Sequence, residues 1–150
     1  MTTRLLAKRK VVICIAGMTA CGKSTAARRL AQKYGLKYVS GGTALKELAI
    51  RIGYKAQGRG WWETTEGMRF LERRQRDFRF DKQVDTELLK WAEQGNVVLD
   101  SWTMPWLFKN GFKIWIEVSP QERAKRLARR DKISIREAEK AITEKDGKTK

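Results

Sequence analysis

Apolar residues follow two rhythms along this chain. Short unbroken runs alternate with longer stretches in which they recur every three or four positions, the signature of buried strands alternating with amphipathic helices. The run 11–15 (Val-Val-Ile-Cys-Ile) reads as a first strand, and 24–34 as a helix stopped by Gly35. Residues 36–40 give a second strand closed by Gly41-Gly42, followed by a helix over 43–51 that ends at Gly53. The Gly- and Lys-rich stretch 54–60 predicts a mobile loop running into Trp61-Trp62, and then a polar helix over 65–76 with apolar Met68, Phe70 and Leu71. Asp81 is placed to N-cap a helix to Gln94, with Val84, Leu88, Trp91 and Ala92 on one face. Gly95-Asn96 turns the chain into strand 97–100, and 112–118 forms another strand with Trp115 in the core. Ser119-Pro120-Gln121-Glu122 combines an N-cap, a proline at the first helical position and a glutamate at the third, and Ser134 to Glu137 is a second capping box. The last helix is expected to reach about Lys145, with a frayed polar tail from Asp146. Strands alternating with helices predict an α/β fold built on a parallel sheet.

The connection after the first strand carries the chemistry. Gly17-Met18-Thr19-Ala20-Cys21-Gly22-Lys23-Ser24 matches G-x-x-x-x-G-K-[ST], the phosphate-binding loop. Its glycines let backbone N–H groups converge on phosphate oxygens at a helix N-terminus. Lys23 reaches the β- and γ-phosphates, Ser24 ligates Mg²⁺, and Thr25 follows on the first helical turn. Strand, loop and helix in that order imply a nucleoside triphosphate site at residues 17–25.

Composition narrows the remaining classes. A chain of 150 residues, 41% hydrophobic, is long enough for one domain with a real core. No apolar run approaches a membrane helix, and the stretch after the basic N-terminus is too short for a cleavable signal peptide, so a cytoplasmic protein is expected. Cys14 and Cys21 give no disulfide framework; Cys14 suits a buried position, and Cys21 lies at a helix N-terminus where a thiol is easily activated. With 0 histidines, His-based acid–base chemistry and Ser-His-Asp triads are excluded. A net charge of +16 suits polyanionic partners, but the bases are dispersed and no RNA-binding signature accompanies them, so no dedicated nucleic-acid interface is expected.

Further site residues follow from what a phosphate-loop enzyme requires. Asp100, directly after Val97-Val98-Leu99, is the strand-end carboxylate placed to face Mg²⁺ beside Ser24; its other reading is a cap on the next turn. Arg123, Arg126 and Arg130 share a helix face by spacing, and with Arg129 they either deliver cations to a transferring phosphoryl group or form a solvated face. The acceptor side lies between the second and third strands, within about 40–85. Ser40, Gly41 and Gly42 open a helix whose N–H groups suit a second anion, Lys46 and Arg51 lie on that helix, and the stretch to Asp85 offers polar groups for a base. Trp61 and Trp62 are either a stacking surface or a local hydrophobic cluster.

The order of these motifs resembles the small nucleoside-monophosphate kinases, and within them the archaeal-type cytidylate kinases. The likeness runs from GMTACGKST (17–25) through LAQKYGLKYVSGGTALKELA (30–49), WWETTEGMRFL (61–71), FDKQVD (80–85), GNVVLDSWTMPWL (95–107) and KIWIEVSPQERAKRLARRDKIS (113–134), covering nearly the whole chain. The resemblance implies a three-layer P-loop kinase fold, a short parallel sheet flanked by helices, in a single domain over 1–150 with an acceptor-binding insertion at 40–85 and a lid at 120–136. It implies transfer of the ATP γ-phosphoryl group to CMP or dCMP with Mg²⁺. Lys23, Arg126 and Arg130 are the catalytic candidates, and a monomer is expected. Two departures stand out: related kinases often carry arginine where this chain has Lys46, and they continue into a last parallel strand, whereas no apolar strand follows Ile142. The competing readings are a kinase with a different acceptor and a nucleotide-dependent RNA-binding or assembly factor on the same fold.

Overall fold

Val12 to Gly17 are buried at all six positions, which is what a central parallel strand covered on both faces demands. In the computed structural model, which describes residues 10–58, 61 and 64–149 (without the side chains of 147–149), this strand β1 (Val12–Gly17) is flanked by β3 (Val97–Asp100) and β4 (Phe112–Ile116), with β2 (Lys37–Ser40) outside β3. The order β2-β3-β1-β4 is parallel throughout. Seven helices complete the described residues: α1 (Lys23–Tyr34), α2 (Gly41–Arg51), α3 (Thr65–Arg76), α4 (Arg79–Gln94), α5 (Met104–Leu107), α6 (Pro120–Asp131) and α7 (Ile135–Thr149). The three-layer α/β arrangement is the one predicted. Among the described residues no helix is long and apolar enough to cross a membrane.

Strand alternation divides the core. Ile13, Ile15 and Val98 face α1, whose buried contacts are the small Ala27 and Ala31, with Leu30 half-buried beside them, so the helix lies close against the sheet. Val12, Cys14, Val39, Val97 and Leu99 point the other way, onto Ala44 of α2, Leu88 and Ala92 of α4 and Met104 of α5. A second cluster beneath α2 joins Leu45 and Leu48 to Trp61, Phe70 and Phe80. This is the hydrophobic-cluster reading for Trp61; Trp62 lies outside the described residues, as do the loop positions 59 and 60. Helices α6 and α7 form a hairpin with its own small core of Ala124, Leu127, Ala128, Ala138 and Ile142.

Local hydrogen bonds move several boundaries. Helix α2 starts at Gly41 rather than 43, because the Ser40 hydroxyl caps it by accepting from the Thr43 N–H at 3.0 Å. Helix α4 starts at Arg79, so Asp81 is not its N-cap: the Asp77 carboxylate accepts the Arg79 N–H at 3.0 Å, and Asp81 pairs with Arg74 instead. Trp115 is not core. It lies 45% exposed on edge strand β4, its indole donating to Glu117 at 2.6 Å. The expected frayed tail is helix as far as Thr149, held by a bidentate contact between Asp146 and Arg123. The one-turn α5 was not predicted, since four residues show no periodicity.

Burial pushes the Cys14 thiol from its ordinary 9.0 up to about 11, against a smaller opposing pull from Lys113. A raised folded-state value means that stability is complete below the unfolded thiol's pKa and is lost as pH climbs through the folded one. Denaturant titrations should therefore show stability falling between about pH 9 and 11, with a smaller fall in Cys14→Ala; equal slopes would place the alkaline transition elsewhere.

Candidate active site

The phosphate loop is shaped by close approach. A Cβ on Gly17 would lie 2.5 Å from the Cys21 sulfur and 2.9 Å from the Ile116 carbonyl oxygen, so only glycine fits where the loop leaves β1. Cys21 is consequently buried under the loop rather than presented to solvent. Gly22 adopts φ 86° and starts α1 with no side-chain cap, and no acidic residue occupies the first turn. The first N–H groups of α1 are thus left for an anion, with the positive end of the helix dipole behind them.

Strand register then sets the carboxylate. Asp100 sits opposite Ile15 on one side and Ser40 on the other. By alternation it shares the α1 face of the sheet with Val98, and it meets Ser24 on the first turn of that helix. Asp100 is only 5% exposed. Its Oδ2 accepts hydrogen bonds from the Ser24 and Tyr38 hydroxyls, each at 2.7 Å, and the Lys23 ammonium lies 3.5 Å from Oδ1. Burial, then the bond it donates to Asp100, pushes the Tyr38 phenol up, keeping it a donor. Among the described residues no three His, Cys, Asp or Glu side chains cluster as a protein metal cage. One hydroxyl and one carboxylate suit a cation carried mainly by phosphates and water. Because Ser24 spends its proton on Asp100, the lone pairs of its oxygen remain for such a cation.

Two cavities open along this carboxyl edge of the sheet, where parallel α/β folds bind ligands. One, of about 400 Å³, is lined by all of Gly17 to Thr25 together with Trp102, Arg126 and Arg130. The other, about 470 Å³, lies between α1, β2, α2 and α4; its lining includes Ser40, Gly41, Gly42, Asp85 and Asp100. Lys23, Ser24 and Trp102 line both.

The α6 arginines divide their tasks. Arg126 donates to the Cys21 carbonyl at 3.1 Å, and Arg130 also faces the loop cavity while pairing with Asp131. Arg123 turns inward, 5% exposed, gripping Asp146 at 2.9 and 3.2 Å and the Thr19 carbonyl at 3.4 Å. It ties the hairpin to the loop. Arg129 is exposed and lines neither cavity.

The structure does not bring Lys46 and Arg51 to the second cavity. Lys46 donates to the Gly58 carbonyl at 2.7 Å, and Arg51 pairs with Glu87 at 3.3 Å on the surface. Besides Lys23, the cations that line it are Arg28 and Arg74, which escaped the sequence reading, as did Tyr38. Arg28 had a signal, four residues after Ser24 on the same helix face. Tyr38 had one too, two residues before Ser40 on the same strand face. Arg74 had none, because α3 reaches the cavity only through tertiary packing. Asp85 lines the cavity and accepts from the Thr103 hydroxyl at 2.6 Å.

Comparison with known proteins agrees with this geometry. A family model described as "AAA domain" matches residues 13–145. The cytidylate kinase of Pyrococcus horikoshii is 31% identical over 140 residues, 93% of this chain and 67% of that protein. That of Methanocaldococcus jannaschii is 30% identical over 145 residues, 93% and 75% of the two chains. The chain belongs to the cytidylate kinase family of AAA-domain proteins. A third member, from Ignicoccus hospitalis, is 32% identical over 90% of this chain and 73% of its own. Among solved structures, shikimate kinase from Bacteroides thetaiotaomicron superposes with a TM-score of 0.61 at 20% identity, covering 92% of this chain and 78% of that one. Shikimate kinase from Acinetobacter baumannii, solved with shikimate, gives 0.57 at 16% identity over 95% and 76%. These two share the P-loop kinase fold. Membership of the kinase family makes this chain an ATP-dependent phosphotransferase acting on small molecules.

The roles of buried Arg123 and exposed Arg126 on α6 are separable by experiment. Arg123→Leu leaves Asp146 without its partner and should cost about 3 kcal/mol in denaturant unfolding, whereas Arg126→Leu should stay within about 0.5 kcal/mol of the parent. Equal losses would contradict the division of tasks.

Proposed function

We propose that this nucleoside-monophosphate kinase transfers the γ-phosphoryl group of ATP to CMP or dCMP, yielding the diphosphate and ADP, with Mg²⁺ as cofactor. The observation that carries the proposal is the junction of two cavities at Lys23 and Ser24, with Asp100 beside them. In this reading Gly17 to Thr25 cradle ATP and the 40–85 region takes the acceptor. The acceptor phosphate sits at the N-terminus of α2, between Ser40, Gly41 and Gly42 on one side and Arg28 and Arg74 on the other. That helix turn has no acidic residue to oppose an anion.

Cytosine is favoured by the opposite wall. Asp81 and Asp85 line the cavity, and each keeps a second carboxylate oxygen beyond the one bonded to Arg74 or Thr103. A cytosine 4-amino group donates to such acceptors, whereas the 4-carbonyl of uracil repels them. The curated relatives, named as cytidylate kinases, support the same acceptor.

The chemistry asks for little beyond placement and charge. The acceptor phosphate is already an oxyanion, so no side chain need remove a proton. Lys23, Arg126 and Arg130 neutralise charge on the transferring group, the latter two delivered by the 120–136 segment acting as a lid. Ser24 and Asp100, with the phosphates, would hold Mg²⁺, which would supply further charge neutralisation at the leaving diphosphate. Fixing two anions in line against mutual repulsion is the main contribution of the protein.

An acceptor screen with ATP and Mg²⁺ tests this directly. ADP formation should depend on added CMP or dCMP, with UMP and AMP poorer by about tenfold or more. ATP turnover that is equal with and without every monophosphate would overturn the kinase reading, and preference for another monophosphate would overturn the choice of base.

A further inference from the structure

Trp102 occupies a position that phosphoryl transfer alone does not explain. Of the three residues that line both cavities, Lys23 and Ser24 belong to the phosphate loop, and Trp102 is the one apolar side chain. The Lys23 ammonium lies 5.4 Å from its ring centre, within the range of a cation–π contact. The ring also meets Trp115 edge-on, centroids 5.8 Å apart at 75°. Trp115 is fixed in turn by its bond to Glu117.

The backbone beneath is equally constrained. The Ser101 N–H donates to the Ile15 carbonyl at 3.1 Å, extending the β3–β1 ladder one residue past Asp100. The Ser101 hydroxyl then accepts from the N–H groups of Thr103 at 3.2 Å and Met104 at 3.4 Å. A large ring in contact with both Lys23 and Trp115 thus stands at the meeting point of two cavities. It lies against Lys23 where the two cavities join.

Building on the two-substrate reading above, we propose that Trp102 is a partition residue that directs the γ-phosphoryl group to the acceptor rather than to water. In transfer, an acceptor phosphate oxygen bonds to the γ-phosphorus while its bond to the β–γ bridging oxygen breaks, and ADP leaves with the electron pair. In the competing leak, water supplies the oxygen, releases a proton and yields inorganic phosphate beside ADP. The indole excludes that water and keeps Lys23 in a poorly solvated setting where its charge acts strongly. Trp102 touches Lys23 and the cavity walls, so it is a positioning residue rather than a proton donor or acceptor.

The test compares the unsubstituted 150-residue chain with Trp102→Ala, Trp102→Leu and Trp102→Phe under ATP, Mg²⁺ and CMP, measuring inorganic phosphate and CDP separately. The ratio of phosphate to CDP should rise about tenfold in the Ala and Leu variants, stay within about twofold in the Phe variant, and be accompanied by little change in the KM for ATP. Rescue by Phe identifies the flat ring as the operative feature. An unchanged ratio in both Ala and Leu variants, or a Phe variant as leaky as Ala, overturns the partition alone. A parent protein that phosphorylates no monophosphate overturns the function and the partition together.

Discussion

The chemistry at the carboxyl edge of the sheet depends on where the register puts one carboxylate. Asp100 ends β3 level with Ile15 of β1 and Ser40 of β2, so the ends of β2 and β3 meet beside the continuing β1. A slip of one residue would turn it to the opposite face, away from α1 and onto the Leu88 and Met104 core. In its observed place it gathers two hydroxyls and an ammonium within hydrogen-bonding or ion-pairing reach. A charge this buried is tolerated only because each oxygen has a partner.

The surrounding architecture serves that placement. Small residues on α1 let the helix approach the sheet closely enough for Ser24 to reach Asp100. The apolar cluster of Leu45, Phe70 and Phe80 holds α2, α3 and α4 as one wall, which positions Arg74 and Asp85 without polar cost in the core. The α6–α7 hairpin has its own core and meets the phosphate loop through Ala20, Arg123 and Arg126.

What could be read from the sequence was governed by how local each signal is. The phosphate loop, α1 and its glycine stop, strand β3 and the Ser119 cap depend on neighbours within a few residues, and each was legible. Asp100 was legible as well, since a carboxylate ending a four-residue apolar strand is a rare pattern. Lys46 and Arg51 were misplaced because sequence proximity to Gly41 says nothing of which way a helix turns its face: Lys46 reaches outward to Gly58 and Arg51 to Glu87. Arg123 shared the helix face of Arg126, as its spacing required, but its partner Asp146 lies in a tail whose composition argued for fraying. Long-range pairs of this kind leave no mark in local composition. Trp115 looked like core because its strand is apolar; the missing information was that β4 is an edge strand.

The central claim is that two adjoining sites act as one, so the direct test is a ligand that occupies both. Calorimetric titration with an adenosine and a cytidine joined through a polyphosphate chain should give a Kd at least about 100-fold below that of ATP alone, since the second half binds intramolecularly. Affinity no better than that of ATP would contradict the account, because it would mean that the two cavities do not present their phosphate ends to each other.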